Sequence, residues 1–285
     1  MINVDEIFDL LISEDDSIVI NCLNRLNESV INKPILSYIL NLANFHRDSK
    51  IRKLAQNLFE KSAPTDLILK VKENWKSSYL KNQEYYRKEL FEHSSIDLGE
   101  YLVFAQVIRK NYYLVKPKVG MISYAFMRYG DEIENIFDCY QVKIEKLPRK
   151  IVKLQHLSVV NFRQQDKLDL EDTIELLSQL KNLRFLQIGQ SKLSTLPISL
   201  SKLERLEQLI IDVNPINSID NKIVLPHLKK LDIKSTQIKQ LDLSQFPALE
   251  ELWIDDEKTL NSFHFKNVKK PFIATSGQYF KRTIE

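Results

Sequence analysis

The second half of the chain repeats one pattern of hydrophobic and polar positions. Its clearest copy places Leu183, Leu186, Ile188 and Leu193 at positions one, four, six and eleven of a frame, with Ser191 at position nine. Apolar residues that alternate over so few positions predict a short strand, with positions four and six facing a core. Because the unit returns at a regular interval, the pattern predicts a stacked array of repeats.

Four clear copies follow one another at intervals of 23, 22 and 21 residues, and they begin at Leu183, Leu206, Leu228 and Leu249. Two looser copies precede them and begin at Glu134 and Leu157. The connecting segments 144–154 and 193–203 match position for position, each with a central Leu-Pro pair. The longer interval after Leu157 contains segment 170–180, whose apolar residues have helical spacing, and it predicts a helix.

The repeat L-x-x-L-x-L-x-x-N-x-L resembles the leucine-rich-repeat family over about residues 134–260, as six repeats. The L-x-x-L-P-x-x-L connectors are similar to those of bacterial short-repeat members. The resemblance implies an α/β solenoid with a curved parallel sheet, a protein partner on its concave face, and no reaction. Ser191, Thr236 and Glu257 depart from the family's asparagine at position nine.

Residues 1–80 contain four apolar stripes with helical spacing and predict an α-helical N-terminal domain. We expect the segment Ser13–Asp16 to cap the second helix, Pro34 to open the third, and Asp48 to start the fourth. The motif DSKIRKLA at 48–55 resembles the second helix of a HEAT repeat. The alternative is a small helical bundle that caps the solenoid.

The two remaining segments have weaker patterns. Residues 81–133 predict two or three helices that bridge to the first repeat as an N-terminal cap. Residues 261–285, where the frame fades, predict a C-terminal cap that covers the end of the core.

Composition removes several classes of function. The net charge is +3, which argues against a nucleic-acid partner, and the five glycines form no phosphate-binding motif. No two of the five histidines lie three or four residues apart, and the cysteines, Cys22 and Cys139, lie in apolar patterns. We therefore expect no cofactor, no metal and no catalytic residue. The sequence shows neither a signal peptide nor a membrane span, which predicts a cytoplasmic protein.

Positions three, five and seven of each repeat should project onto the concave face, because strand side chains alternate. The first repeats are predicted to carry an apolar and aromatic patch of Ile136, Tyr140, Val159 and Phe185, which is either exposed or covered by the helical region or a loop. The far end is acidic and contains Trp253, a composition typical of an interface. The predicted partner-binding residues are Tyr140, Val159, Arg163, Phe185, Gln187, Ile210, Asp212, Asp232, Lys234, Trp253 and Asp255.

The pattern as a whole predicts a protein-interaction module that is not an enzyme. One alternative is a regulatory or effector protein whose helical half binds the partner while the solenoid serves as a scaffold. A more distant alternative is an enzyme that uses scattered carboxylates such as Asp212 and Asp232, and it would require a closed pocket around them.

Overall fold

The computed structural model describes residues 3–76, 93–111, 135–139, 143–255, 264–266 and 272–275. The chain divides into two compact units, Met1–Glu134 and Asn135–Glu285. The first unit is helical over its described residues, and the second contains every described strand.

The helices of the first unit are α1 Val4–Leu11, α2 Asp16–Arg25, α3 Lys33–Phe45, α4 Ser49–Ser62, α5 Thr65–Lys76 and α6 Leu98–Asn111. The predicted helix starts are confirmed. Asp15 accepts the backbone N–H of Ser17 ahead of α2, and Pro34 lies in the first turn of α3. The Asp48 side chain accepts two backbone N–H groups of the first turn of α4. These caps satisfy donors that have no partner inside the helix.

Helix α3 lies at the centre of the first unit and is buried along most of its length. Its Tyr38 ring stacks on Phe104 of α6, with centroids 4.7 Å apart, and meets the edge of Phe8 of α1. The Tyr38 hydroxyl donates to Glu100 at 2.6 Å, which satisfies the polar end of a buried ring. Helices α3 and α4 follow one another with a short connection, as in a helical hairpin. The resemblance of α4 to the second helix of a HEAT repeat stays a prediction.

The second unit is a stack of parallel strands, as the repeat predicts. Its seven-stranded sheet contains β1 Ile136–Asp138, β2 Val159–Asn161, β3 Phe185–Gln187, β4 Gln208–Ile210, β5 Lys230–Asp232, β7 Glu251–Ile254 and β9 Phe272–Thr275. The strands lie in the order β1-β2-β3-β4-β5-β7-β9 and each pair is parallel. The registers pair position three with position three and position five with position five, so the frame read from the sequence is confirmed.

The connecting segments also match the sequence. The two equivalent connectors form 3-10 helices at equivalent positions, Arg149–Lys153 and Ile198–Lys202. The long interval after Leu157 carries an α-helix, α7 Leu170–Leu177, which confirms the predicted helix. Another 3-10 helix, Leu243–Gln245, follows directly on the short strand Gln240–Asp242.

In three repeats, a polar side chain at position nine links the repeat to the preceding one. Asn214 Oδ1 accepts the N–H groups of Ser191 and Leu193, and its Nδ2 donates to the carbonyls of Ile188 and Ile211. In the preceding repeats, Ser191 Oγ accepts the N–H of Gln165, and Gln165 Oε1 accepts the N–H of Ile144. Serine and glutamine at position nine therefore keep the link, whereas Thr236 hydrogen-bonds within its own repeat.

The residue at position eight, directly before position nine, adopts the left-handed backbone region in four repeats. The φ angles are 67°, 55°, 54° and 53° at Gln164, Gln190, Val213 and Ser235. The conformation turns the chain out of the strand, and a β-branched residue such as valine adopts it only with strain.

The C-terminal part of the array contains strands that the repeat frame did not predict. A seventh strand, β9, lies within the segment predicted as a cap, so the sheet continues beyond the sixth repeat. A separate parallel pair, β6 Gln240–Asp242 with β8 His264–Lys266, was not predicted. Tyr140, Glu257 and most of the predicted bridge helices lie outside the described residues.

Candidate protein-binding face

Side chains at positions three, five and seven form one surface of the sheet, here called the odd-position face. Leu186 and Ile188, at positions four and six, are buried in the core on the other side. The odd-position side chains alternate with them and therefore point away from that core. All the predicted partner-binding residues that the structure describes lie on this face.

In the N-terminal half of the odd-position face, Asp138, Val159 and Arg163 keep partial exposure, and the other described side chains are buried. Two members of the predicted apolar patch, Ile136 and Phe185, are 6% and 5% exposed. Gln187 on the same strand as Phe185 is 1% exposed, and Ile210 is also buried, while Val159 keeps partial exposure. Phe185 and Ile136 therefore do not form an exposed patch, and they offer little surface to a partner.

An ion pair crosses the face at position seven. Arg163 Nη1 donates to both carboxylate oxygens of Asp212 at 3.0 Å, although the two residues belong to repeats that are not adjacent. Gly189 lies at position seven of the repeat between them, and a Cβ there would be 1.9 Å from Asp212 Oδ1. The missing side chain is thus the reason the two charged groups meet. The sequence does contain a signal for this ion pair, since position seven of three consecutive repeats reads arginine, glycine and aspartate.

A second charged group lies farther along the face. Lys234 Nζ is 3.3 Å from Asp232 Oδ2 and 5.0 Å from the centroid of the Trp253 ring. Asp232 is buried, and burial raises the pKa of its carboxyl, with the charge of Asp212 adding to the shift and Lys234 opposing it.

The C-terminal half of the face keeps partial exposure. Lys230 pairs with Glu251 at 3.2 Å, and the Trp253 indole N–H donates to Glu251 at 3.3 Å. Asp255 accepts the backbone N–H of Ser235 with both carboxylate oxygens at 2.9 Å. The partly exposed side chains of this half are Gln208, Lys230, Lys234, Glu251, Trp253 and Asp255.

The two carboxylates of the enzyme alternative, Asp212 and Asp232, each pair with a cation. Neither lines the small cavity between repeats, which Gln165 and Ser191 border. Burial raises the pKa of Cys22 to about 11 and that of Cys139 well above its ordinary value, so both thiols stay protonated near neutral pH.

The described residues contain no group of three histidine, cysteine or acidic side chains placed to hold a metal ion. Within the same ranges, no helix is long and apolar enough to cross a membrane.

Comparison with known proteins finds similarity only to solved structures, since no family model and no curated protein matches the chain. The functional domain of the internalin InlJ of Listeria monocytogenes aligns over 46% of this chain and 32% of its own, with 19% identity and a TM-score of 0.27. The internalin InlF from the same species aligns over 46% of each chain, with 18% identity and a TM-score of 0.26. A leucine-rich-repeat protein of Leptospira interrogans aligns over 50% of each chain, with 16% identity and a TM-score of 0.29.

This chain therefore spans half or less of the length of these three proteins. The fold of this chain is assigned from its own repeat frame and strand register. Its second unit has the leucine-rich-repeat fold.

Proposed function

We propose that this chain is a protein-interaction module and that its partner contacts the C-terminal half of the odd-position face. The observation that carries the proposal is the contrast between the two halves. Phe185 is buried, whereas Trp253 is partly exposed among charged residues. An aromatic side chain with a polar rim has the composition of an interface centre, and a solenoid presents such a face along several repeats.

The partner-binding set is accordingly smaller than the one predicted from the frame. It retains Lys234, Trp253 and Asp255 and adds Gln208, Lys230 and Glu251. Phe185, Gln187, Ile210, Asp212 and Asp232 are left out because they are buried.

The alternative, in which the helical unit binds the partner, is favoured by one observation. Leu69 of α5 is 59% exposed, the largest value among the large apolar side chains in the described part of the chain. An exposed leucine of this kind can belong to an interface, although single exposed apolar residues are common.

Site-specific photocrosslinking distinguishes the two surfaces. A photoreactive amino acid replaces Lys230 on the odd-position face, Leu69 on α5, or Ile198, an exposed control on a connecting 3-10 helix. We expect a specific protein adduct from position 230, reduced by Trp253→Ala and unaffected by Val224→Ala. An adduct from position 69 but not from 230 would support the helical alternative, and equal yields from 198 and 230 would overturn the proposal.

A further inference from the structure

The Trp253 ring and the Asp232 carboxylate form two walls of a site that already holds an ammonium group. Lys234 supplies that group, 3.3 Å from the carboxylate and 5.0 Å from the ring centroid. A cation within about 6 Å of an aromatic centroid is attracted by the negative face of the ring. A carboxylate at hydrogen-bonding distance adds direct charge attraction. The geometry therefore suits a cation on a flexible aliphatic stem.

The walls of this site are held by contacts that do not involve the Lys234 side chain. Asp232 Oδ1 accepts the backbone N–H of residue 234 at 3.1 Å, a bond that any residue other than proline preserves there. Trp253 is held by its indole N–H, which donates to Glu251 at 3.3 Å, and Glu251 is in turn paired with Lys230. The site is therefore organised before any other cation enters it.

Asp232 needs a cation nearby because it is buried. Its side chain is 8% exposed, and a buried carboxylate without a counter-charge carries a large desolvation cost. The neighbouring Asp212 is paired with Arg163, so that arginine is already engaged. Within the described residues, the ion pair of Asp232 is formed with Lys234. Movement of Lys234 out of the site would therefore require another cation to take its place.

Lys234 is placed to make that exchange. Its side chain is 24% exposed and lies in the partly exposed half of the odd-position face. We propose that Lys234 is an internal placeholder, and that the partner inserts a lysine or arginine side chain between Trp253 and Asp232 when it binds. The inference rests on the proposed function and specifies the chemistry of the partner at this point of the face.

The test uses the full chain and n-butylammonium, which reproduces the end of a lysine side chain. The chain has two tryptophans, so Trp75→Phe leaves Trp253 as the single indole emitter. In that background we expect Lys234→Ala to give a saturable change in emission, with an apparent Kd at least about ten times lower than with Lys234 present, because the tethered ammonium competes. The uncharged analogue n-butanol should give no saturable change.

Matched variants identify the source of the signal. Lys234→Gln should behave as Lys234→Ala, and adding Asp232→Asn to either should remove the response. Lys222→Ala, at an exposed lysine on a connecting segment, should titrate like the parent. Thermal melting confirms that each variant is folded.

Equal affinity with and without Lys234, or equal responses to n-butylammonium and n-butanol, would overturn the inference. Either result would leave the photocrosslinking at position 230 unaffected. Failure of the cation site is therefore distinguishable from failure of the proposed binding face.

Discussion

Arg163 and Asp212 form an ion pair that spans the repeat lying between them. Each N–H···O distance from Arg163 Nη1 to the carboxylate is 3.0 Å, and both side chains are largely buried. The pair passes over Gly189, where even a methyl group would collide with Asp212. It therefore joins three consecutive repeats on the surface of the sheet, whereas backbone hydrogen bonds join only adjacent strands.

Gly189→Ala should destabilise the protein by about 2–4 kcal/mol, because the new Cβ displaces Asp212 and leaves buried charges without partners. The measurement is urea denaturation of the single and double variants. In an Asp212→Ala background the same substitution should cost less than about 1 kcal/mol, because the contacts with the carboxylate are gone and only the 3.1 Å approach to the backbone oxygen of residue 212 remains. Additive effects would show that Gly189 acts independently of the ion pair.

Asn214→Ala should cost about 3 kcal/mol or more of unfolding free energy. The substitution removes four hydrogen bonds and leaves the N–H groups of Ser191 and Leu193 without their acceptor. The matched control is Asn217→Ala at an exposed asparagine, with an expected change within about 0.5 kcal/mol. Equal effects at the two positions would contradict the structural role given to position nine.

Val213→Asn should stabilise the protein by up to about 1 kcal/mol. Valine is strained at a φ of 54°, whereas asparagine tolerates this region, and the exposed valine side chain has little burial to lose. Thermal unfolding compares it with Val224→Asn, an exposed valine outside the left-handed region, which should change stability little. A decrease in stability at position 213 would show that the valine side chain makes a favourable contact.

Asp166 should stabilise the protein near neutral pH, and this contribution should be lost in acid. The ammonium groups of Lys143 and Lys192 flank its carboxylate and lower its pKa to about 2. Because the pKa is lower in the folded state than the ordinary 3.8, the stabilisation is complete above about pH 4 and is lost as the pH falls towards 2.

Asp166→Asn should therefore flatten the decline in urea midpoint between pH 4 and pH 2. The difference from the parent chain should shrink in high salt, because the side chains of Lys143 and Lys192 are exposed to solvent. Identical pH profiles at low salt would show that this charge group does not contribute to stability.

The periodicity of the sequence was sufficient to predict most of the fold of the second unit. The odd and even positions read from Leu183 onward match the observed registers, since a parallel stack repeats the same side-chain environment in every turn. Caps such as Asp15 and Asp48 are local interactions, so the sequence predicts them without knowledge of distant contacts. The seventh strand and the β6–β8 pair have no comparable repeat signal, and they form through pairing with strands distant in sequence.

The candidate site divides in the same way. The frame assigned Phe185, Arg163 and Trp253 to one face, because alternation along a strand is a property of the backbone. It did not distinguish the buried half of that face from the partly exposed half, and it did not predict that Asp212 reaches Arg163 over Gly189. Burial and ion pairing depend on side-chain contacts between repeats, and those contacts form only when the chain folds.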